Sequence, residues 1–375
     1  MQYLKIACVS GKADVCDVRL TAIVCPEKIT ASYTGSDPAT AKIFEAAKQS
    51  FMQNCVDIFM DCPTRERAGW LCDSFFTARS ERFFTGKNDI EHNFLENFLL
   101  AERYPNVPDG MLPMCYPSDH YDGNYIPNWA MWFVLELEDR EKRTGDKAFT
   151  AAYKEKVYRL LDFFKKYENK DGLLEKLEAW VFLEWSKANE LTQDINFPSN
   201  MLYAKTLFAA ARMFDDAALE AKANALFDVI RARSFDGTFF RDNEVYNGDG
   251  EPVSPGERTE TCQYYAFFTG TATPETYPEL WHTLMTDFGP KRAEKGLYPE
   301  IYPANAFIGN YLRLMLLDEN GLYEKLIEES KDYFLYMAER TGTLWENTGD
   351  YASCNHGFAS YAAPMLIRAE ENLKK

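Results

Sequence analysis

The sequence predicts an all-α protein: an (α/α)6 barrel, in which six helical hairpins close into a ring, preceded by a short β segment. Three observations carry this expectation. After residue 35, twelve stretches place apolar residues three and four apart, as amphipathic helices do. No strands alternate with them. Short links such as Gly145-Asp146 alternate with long loops, over 106–127 and 172–198, that are rich in Trp, Tyr, Asp and Glu. Loops of that length in a compact domain are usually functional, and in a ring they gather at one mouth.

Residues 3–9 and 15–24 are rich in β-branched side chains, partly alternate, and flank a turn at Gly11-Lys12-Ala13-Asp14. They read as two strands, and two strands alone are not a stable unit. Residues 1–34 are therefore expected to be the remnant of a β-sandwich, with the barrel taking up 35–375. Ser36-Asp37-Pro38 supplies a cap and a first-turn proline, and Ile43, Phe44, Ala47, Phe51 and Cys55 fall on one face of the helix that follows. Further helices are expected over 71–84, 89–101, 128–143, 147–167, 199–214, 217–234, 260–269, 274–288, 304–317, 321–338 and 355–371. The pairs Asp236-Gly237, Asn247-Gly248 and Asp249-Gly250 read as turns, with a small hairpin around 239–246.

A chain of 375 residues with 46% hydrophobic content can bury a sizeable core. Its 22 Tyr, 27 Phe and 7 Trp exceed what such a core needs, leaving rings over for stacking on a ligand. A net charge of −17 argues against nucleic acid and anionic membranes, whose phosphates this surface would repel. No apolar stretch is long enough to span a bilayer, and the first residues lack the apolar run of a signal peptide. Nine scattered cysteines form no CxxC pair and read as reduced thiols. A cytoplasmic compartment is expected, the alternative being a leader removed upstream of this sequence.

Residues 61–73, DCPTRERAGWLCD, put three carboxylates, two arginines and a Trp into one connection. Asp61 and Glu66 lie in the loop, while Trp70 and Asp73 open the next helix, whose dipole favours a carboxylate there. Taken alone this could be a salt-bridged helix start. Residues 341–356, TGTLWENTGDYASCNH, then place Glu346 directly after Trp345 in the loop before the last helix, with Asn355 and His356 at that helix's start. Closing the ring brings the first and last hairpins side by side. Two carboxylates meeting there, each near a Trp, are what glycoside hydrolysis needs: an acid to protonate the leaving oxygen and a base to activate water.

Together these stretches resemble the bacterial α-L-rhamnosidases of glycoside hydrolase family 78 and their six-hairpin relatives. The resemblance rests on DCPTRERAGW with Asp73, on LWEN followed by CNHGFAS, and on the order of hairpins, and it covers residue 36 to the C-terminus. It implies an inverting glycosidase that removes terminal α-L-rhamnose or a similar L-sugar, with Glu66 as general acid and Glu346 as general base. It also implies that Asp61 and Asp73 hold sugar hydroxyls with Arg65 among them, that Trp70 lines the pocket, and that His356 contacts the sugar. The chemistry agrees: inversion needs the two acids about 6.5 to 9.5 Å apart, and a neighbouring Asp61 or Asp73 would raise the pKa of Glu66. The family motif DCPxRDERxGW is one residue longer, and Leu183-Glu184-Trp185 stands where relatives often have Gly-Asp-Trp. Most of the β-domains that accompany the ring in the family are absent from this sequence.

Two further loops combine acids and rings. In residues 115–133, Asp119, His120, Tyr121, Asp122 and Tyr125 precede Trp129 and Trp132; Trp129 is read as facing a sugar and Trp132 as core. In residues 180–189, Trp180, Glu184 and Trp185 leave packing and binding open, and Glu184 and Trp185 are counted with Asp122, Trp129 and Trp345 among the candidate sugar contacts. His92, His120, His282 and His356 lack zinc-site spacing, no calcium loop is present, and neither a P-loop nor GxSxG occurs, so no cofactor or metal is expected. The rival readings are a carbohydrate-binding protein that keeps the pocket without turnover and a helical scaffold, neither of which requires two opposed acids.

Overall fold

A computed structural model of the protein describes residues 4–118 and 122–374. Among them are thirteen α-helices: α1 (Pro38–Asn54), α2 (Asp73–Thr85), α3 (Asp89–Leu100), α4 (Pro127–Thr144), α5 (Lys147–Ala151), α6 (Lys154–Phe164), α7 (Phe197–Phe214), α8 (Ala217–Ser234), α9 (Glu260–Thr269), α10 (Pro278–Asp287), α11 (Gly309–Glu319), α12 (Tyr323–Thr341) and α13 (Ala362–Leu373). Alternate helices form the inner wall. α2, α4, α7, α9, α11 and α13 each pack on the next, and α13 returns to α2, closing the ring. The outer helices back them, with α1 against α12 and α8 against α7. The sequence dictates this division: α9 buries every residue except Phe268, whereas α10 buries only Leu280, Leu284 and Met285 along one stripe.

Aromatic rings fill much of the space inside. Trp132 is fully buried, stacked on Phe268 at 5.1 Å and tilted against Phe75 at 4.8 Å, so it belongs to the core as expected. Three short antiparallel strands, β1 (Ile195–Asn196), β2 (Asn243–Tyr246) and β3 (Pro252–Val253), pair in that order, with Ile195 opposite Glu244 and Val245 opposite Val253. The hairpin expected around 239–246 is therefore β2–β3, turning at Asn247 to Gly250.

Several expectations need correction. The single helix expected over 147–167 is three pieces, because Ala152 and Tyr153 bond to carbonyls three residues back, and a 3-10 turn (Lys165–Tyr167) ends the run. The helix expected from residue 304 starts at Gly309, since Ile308 has φ +60°, outside the right-handed helical region. The helix expected from residue 355 opens as a 3-10 turn (Gly357–Tyr361) before α13. The two N-terminal strands are not formed: residues 4–24 pair with nothing in a ladder, and Leu4, Ile6, Val9 and Leu20 stay exposed. Their alternation has no sheet here to pair with. The chain joins the barrel from Cys25 onward, where the Cys25 N–H donates to Met52, the Thr30 and Ala31 N–H groups donate to Phe84 and the Tyr33 hydroxyl donates to Glu370.

Candidate active site

The junction of the first and last hairpins builds the site. After α12 the chain folds back on itself, with the Glu346 N–H on the Ser353 carbonyl (2.9 Å) and the His356 N–H on Leu344 (3.0 Å). The end of α1 holds this loop: the Leu344 N–H reaches Ser50 Oγ at 2.8 Å, and Asn54 donates to Asn355 Oδ1 at 2.9 Å. Gly357 then donates to the carbonyl of Asp61 at 2.8 Å. A side chain at Gly357 would place its Cβ 2.5 Å from the Met60 carbonyl oxygen, so this contact admits only glycine. The loops of residues 61–73 and 344–356 are thereby joined edge to edge.

Their acids open into one pocket of about 410 Å³, counting its open mouth. It is lined by Asp61, Glu66, Asp73 and Glu346 with Arg65 and His356. Aromatic rings complete the wall, with Trp129, Trp180, Phe182, Trp185 and Phe307. Phe182 stands edge-on to both Trp129 (4.9 Å) and Trp185 (4.7 Å), which fixes the tilt of each ring. The backbone is strained on both sides of the floor: Cys72, before Asp73, has φ +71°, and Ile308, after Phe307, has φ +60°.

The two glutamates sit in different surroundings. Glu66 is about one quarter exposed. Burial pushes its pKa up and the charge of Asp61 pushes it further, against the pull of Arg65 and a hydrogen bond with Trp70. Glu346 is almost fully buried and accepts from the Trp185 indole N–H (2.9 Å), the Ser353 N–H (3.1 Å) and Arg65 (3.4 Å). These donors occupy both of its oxygens, the indole on Oε1 and the Ser353 N–H and Arg65 on Oε2. Burial and Asp61 thus incline Glu66 to hold a proton, while Glu346 is fixed in place by three donors.

Behind them, His356 Nε2 pairs with Asp73 Oδ1 at 2.7 Å, and His356 Nδ1 faces Glu346 Oε2 at 3.7 Å. Burial raises Asp73 to about 6 despite the histidine. Burial alone would pull His356 down, but the hydrogen bond and charge of Asp73, with Glu346 and Asp61, lift it above its ordinary value. Asp61 uses Oδ1 to take the Ala68 N–H at 3.0 Å, leaving Oδ2 buried at the pocket without a protein donor among the described residues.

Nine of the twelve candidate catalytic and sugar-contact residues line this pocket: Asp61, Arg65, Glu66, Trp70, Asp73, Trp129, Trp185, Glu346 and His356; Trp180, left open between packing and binding, lines it too. The other three candidates do not. Asp122 is exposed and accepts the Asn124 N–H in a turn. Trp345 is buried behind the loop, its indole donating to Thr341 Oγ1 at 2.7 Å, because consecutive residues on an extended segment point to opposite sides. Glu184 is fully buried, and burial drives its pKa well up. It accepts from the Asn305 N–H (2.9 Å), Ser186 Oγ (3.0 Å) and Thr261 Oγ1, and so anchors the loop instead of meeting a sugar. Asp119, His120 and Tyr121 lie outside the described residues. Ile126, Phe182 and Phe307 line the pocket without having been anticipated. Among the described residues no group of three or more His, Cys, Asp or Glu is arranged to hold a metal ion, and no helix is long and apolar enough to cross a membrane.

Residues 28–238 match the family model described as the bacterial alpha-L-rhamnosidase 6 hairpin glycosidase domain. The chain belongs to this family. A curated alpha-L-rhamnosidase of Formosa agariphila is 23% identical over 195 residues, covering 50% of this chain and 20% of that protein. The GH78 family rhamnosidase of Bacillus sp. GL1 superposes on this six-hairpin domain with TM-score 0.76 at 20% identity, covering 91% of this chain and 36% of the other. A rhamnosidase from Klebsiella oxytoca with rhamnose bound gives 0.72 at 17% identity, covering 93% and 66%. The domain thus spans less than two thirds of each of these relatives. At such identities the structural likeness establishes the (α/α)6 fold.

Proposed function

We propose that this six-hairpin domain is a glycoside hydrolase that removes terminal α-L-rhamnose, or a closely similar L-sugar, from an oligosaccharide or glycoside with inversion. The observation that carries the reading is the placement of Glu66 and Glu346, 280 positions apart in the sequence, in one pocket, the first inclined by burial to keep a proton and the second held by three donors. Glu66, inclined to keep its proton, delivers it to the leaving oxygen as the bond to the anomeric carbon breaks. Glu346, buried among donors, takes a proton from the water that attacks the opposite face. The aromatic wall offers rings to the apolar faces of the sugar, and Asp61 Oδ2 and the Asp73–His356 pair offer partners to its hydroxyls. The nine unpaired thiols support a reducing compartment.

Arg65 favours a second reading of the stereochemistry. Its Nη2 lies 2.9 Å from Glu66 Oε1 and 3.4 Å from Glu346 Oε2, so those oxygens are no farther apart than those two legs together. That upper limit falls just short of the separation of about 6.5 to 9.5 Å used in inversion and admits the separation of about 5 to 5.5 Å used in retention. Inversion therefore requires the guanidinium to withdraw as sugar and water enter. Proton NMR of the first sugar released from p-nitrophenyl α-L-rhamnoside decides between them: β-rhamnose supports inversion, and α-rhamnose overturns it. No nitrophenol release from this or other aryl L-glycosides, with the sugar still bound, would favour a carbohydrate-binding protein instead.

A further inference from the structure

Behind the pocket wall, three segments remote in sequence converge on Asn305, a side chain that touches neither glutamate. Its amide nitrogen lies 2.6 Å from the Trp185 carbonyl oxygen, 2.8 Å from Asn347 Oδ1 and 3.2 Å from Tyr351 Oη. Its amide oxygen accepts the Thr348 N–H at 3.0 Å and the Thr348 hydroxyl at 3.3 Å. Its own N–H donates to Glu184 Oε2 at 2.9 Å. Asn305 thus grips the backbone on either side of the pocket. Trp185 is held directly and Glu346 through Asn347 and Thr348, the two residues after it, and Trp185 and Glu346 are joined to each other by the indole N–H on Glu346 Oε1 at 2.9 Å.

We infer that Asn305 is a positioning residue for Glu346, acting through Asn347 and Thr348 on one side and through the Trp185 indole on the other, with the buried Glu184 holding Asn305 in turn. This inference rests on the proposed role of Glu346 as base. The geometry selects the side chain. Trp185 and Asn347 need a donor and Thr348 needs an acceptor, so an amide satisfies all three where a carboxylate or an aliphatic group fails at least one. Glu184 closes against bare backbone: a Cβ at Gly309 would stand 2.8 Å from Glu184 Oε1. The two acids counted as site candidates in the sequence, Glu346 and Glu184, are therefore divided in space. Glu346 faces the pocket, and Glu184 and Asn305 hold it in register.

A base displaced by an ångström costs turnover more than ground-state binding, with losses of order 10²-fold. The test uses Asn305→Ala, and Asn305→Asp, which keeps the shape and the acceptor but turns the donor into a repelling oxygen. On p-nitrophenyl α-L-rhamnoside, kcat is expected to fall about tenfold or more while KM stays within about twofold. In a Glu346→Gln background the same substitutions are expected to remove nothing further from the residual rate, since the group they act through is gone. Hydrogen exchange is expected to quicken in the peptide covering 344–356 and to stay unchanged over 61–73. An unchanged kcat in both variants, or an undiminished loss in the Glu346→Gln background, overturns the inference. A wild-type chain inactive on every aryl glycoside defeats the hydrolase reading instead, and hydrogen exchange then decides the positioning role: no change over 344–356 in either variant rejects it.

Discussion

One guanidinium nitrogen of Arg65 faces both acids of the pocket, 2.9 Å from Glu66 and 3.4 Å from Glu346. Arg65 is half exposed, so this contact is screened and easily broken. Its positive charge lowers the pKa of Glu66, against burial and Asp61, which raise it. Arg65→Ala is therefore expected to move the alkaline limb of the kcat/KM profile, where the acid loses its proton, to higher pH. A limb that stays in place or moves down would show that Arg65 does not act on the acid.

Asp61→Asn predicts the opposite sign. The substitution keeps the oxygen that accepts the Ala68 N–H and removes the negative charge that raises Glu66. The alkaline limb is expected to shift to lower pH, and the double variant with Arg65→Ala to fall between the two. A pH–rate series on all three enzymes checks both shifts together.

These residues were legible in the sequence because chemistry and spacing coincide: acids, arginine and ring within thirteen positions of one loop, and a second Trp-Glu pair at the other end of the chain. The ring of hairpins followed from helical periodicity. Trp129 and Trp132 share a helix face, Trp129 in the first turn of α4 reaching the pocket and Trp132 one turn further on staying in the core. What escaped depended on partners that only folding supplies. Glu184 has the signature of a sugar contact, yet its donors come from residues 261 and 305. Phe182 and Phe307 carry no mark that sets them apart in a chain with 27 phenylalanines. Asn305 gives no local signal, since its role exists only where three loops meet. The N-terminal alternation was real as a pattern, but a strand needs a neighbouring strand, and none lies beside it among the described residues.

The Asp73–His356 pair should bear on folding as well as on the site. Both side chains are almost fully buried, 2.7 Å apart. Removing one partner of such a pair costs about 3 kcal/mol or more, because the other is left buried without its counter-charge. In His356→Ala, Asp73 escapes part of this penalty by taking up a proton. The deficit against wild type is therefore expected to be smaller near pH 5 than near pH 7. Urea unfolding at the two values checks it, and a deficit that shrinks as pH rises would contradict the pairing.

Burial sets the pH dependence of the whole fold. Asp73 is raised to about 6, and Glu81 and Asp242 to about 7, while Glu136 and Glu184 are raised well above the ordinary carboxylate range. Each keeps a proton in the native state that the unfolded chain releases near pH 4, so stability falls as pH rises through that interval. His356, raised by its partner, adds stability below about pH 6.5 that is likewise lost as pH climbs through its native value. Carboxylates held below their usual range by partners, such as Asp37, Asp139 and Asp236, act in the other direction, but only below about pH 4. Between pH 5.5 and 8 the first set governs. The melting temperature is expected to be higher at pH 5.5 than at pH 8 by about 2 °C or more. A calorimetric scan in which it rises from pH 5.5 to 8 would mean that these buried carboxyls are ionised in the native protein, and that Asp73 and His356 do not sit in the surroundings described.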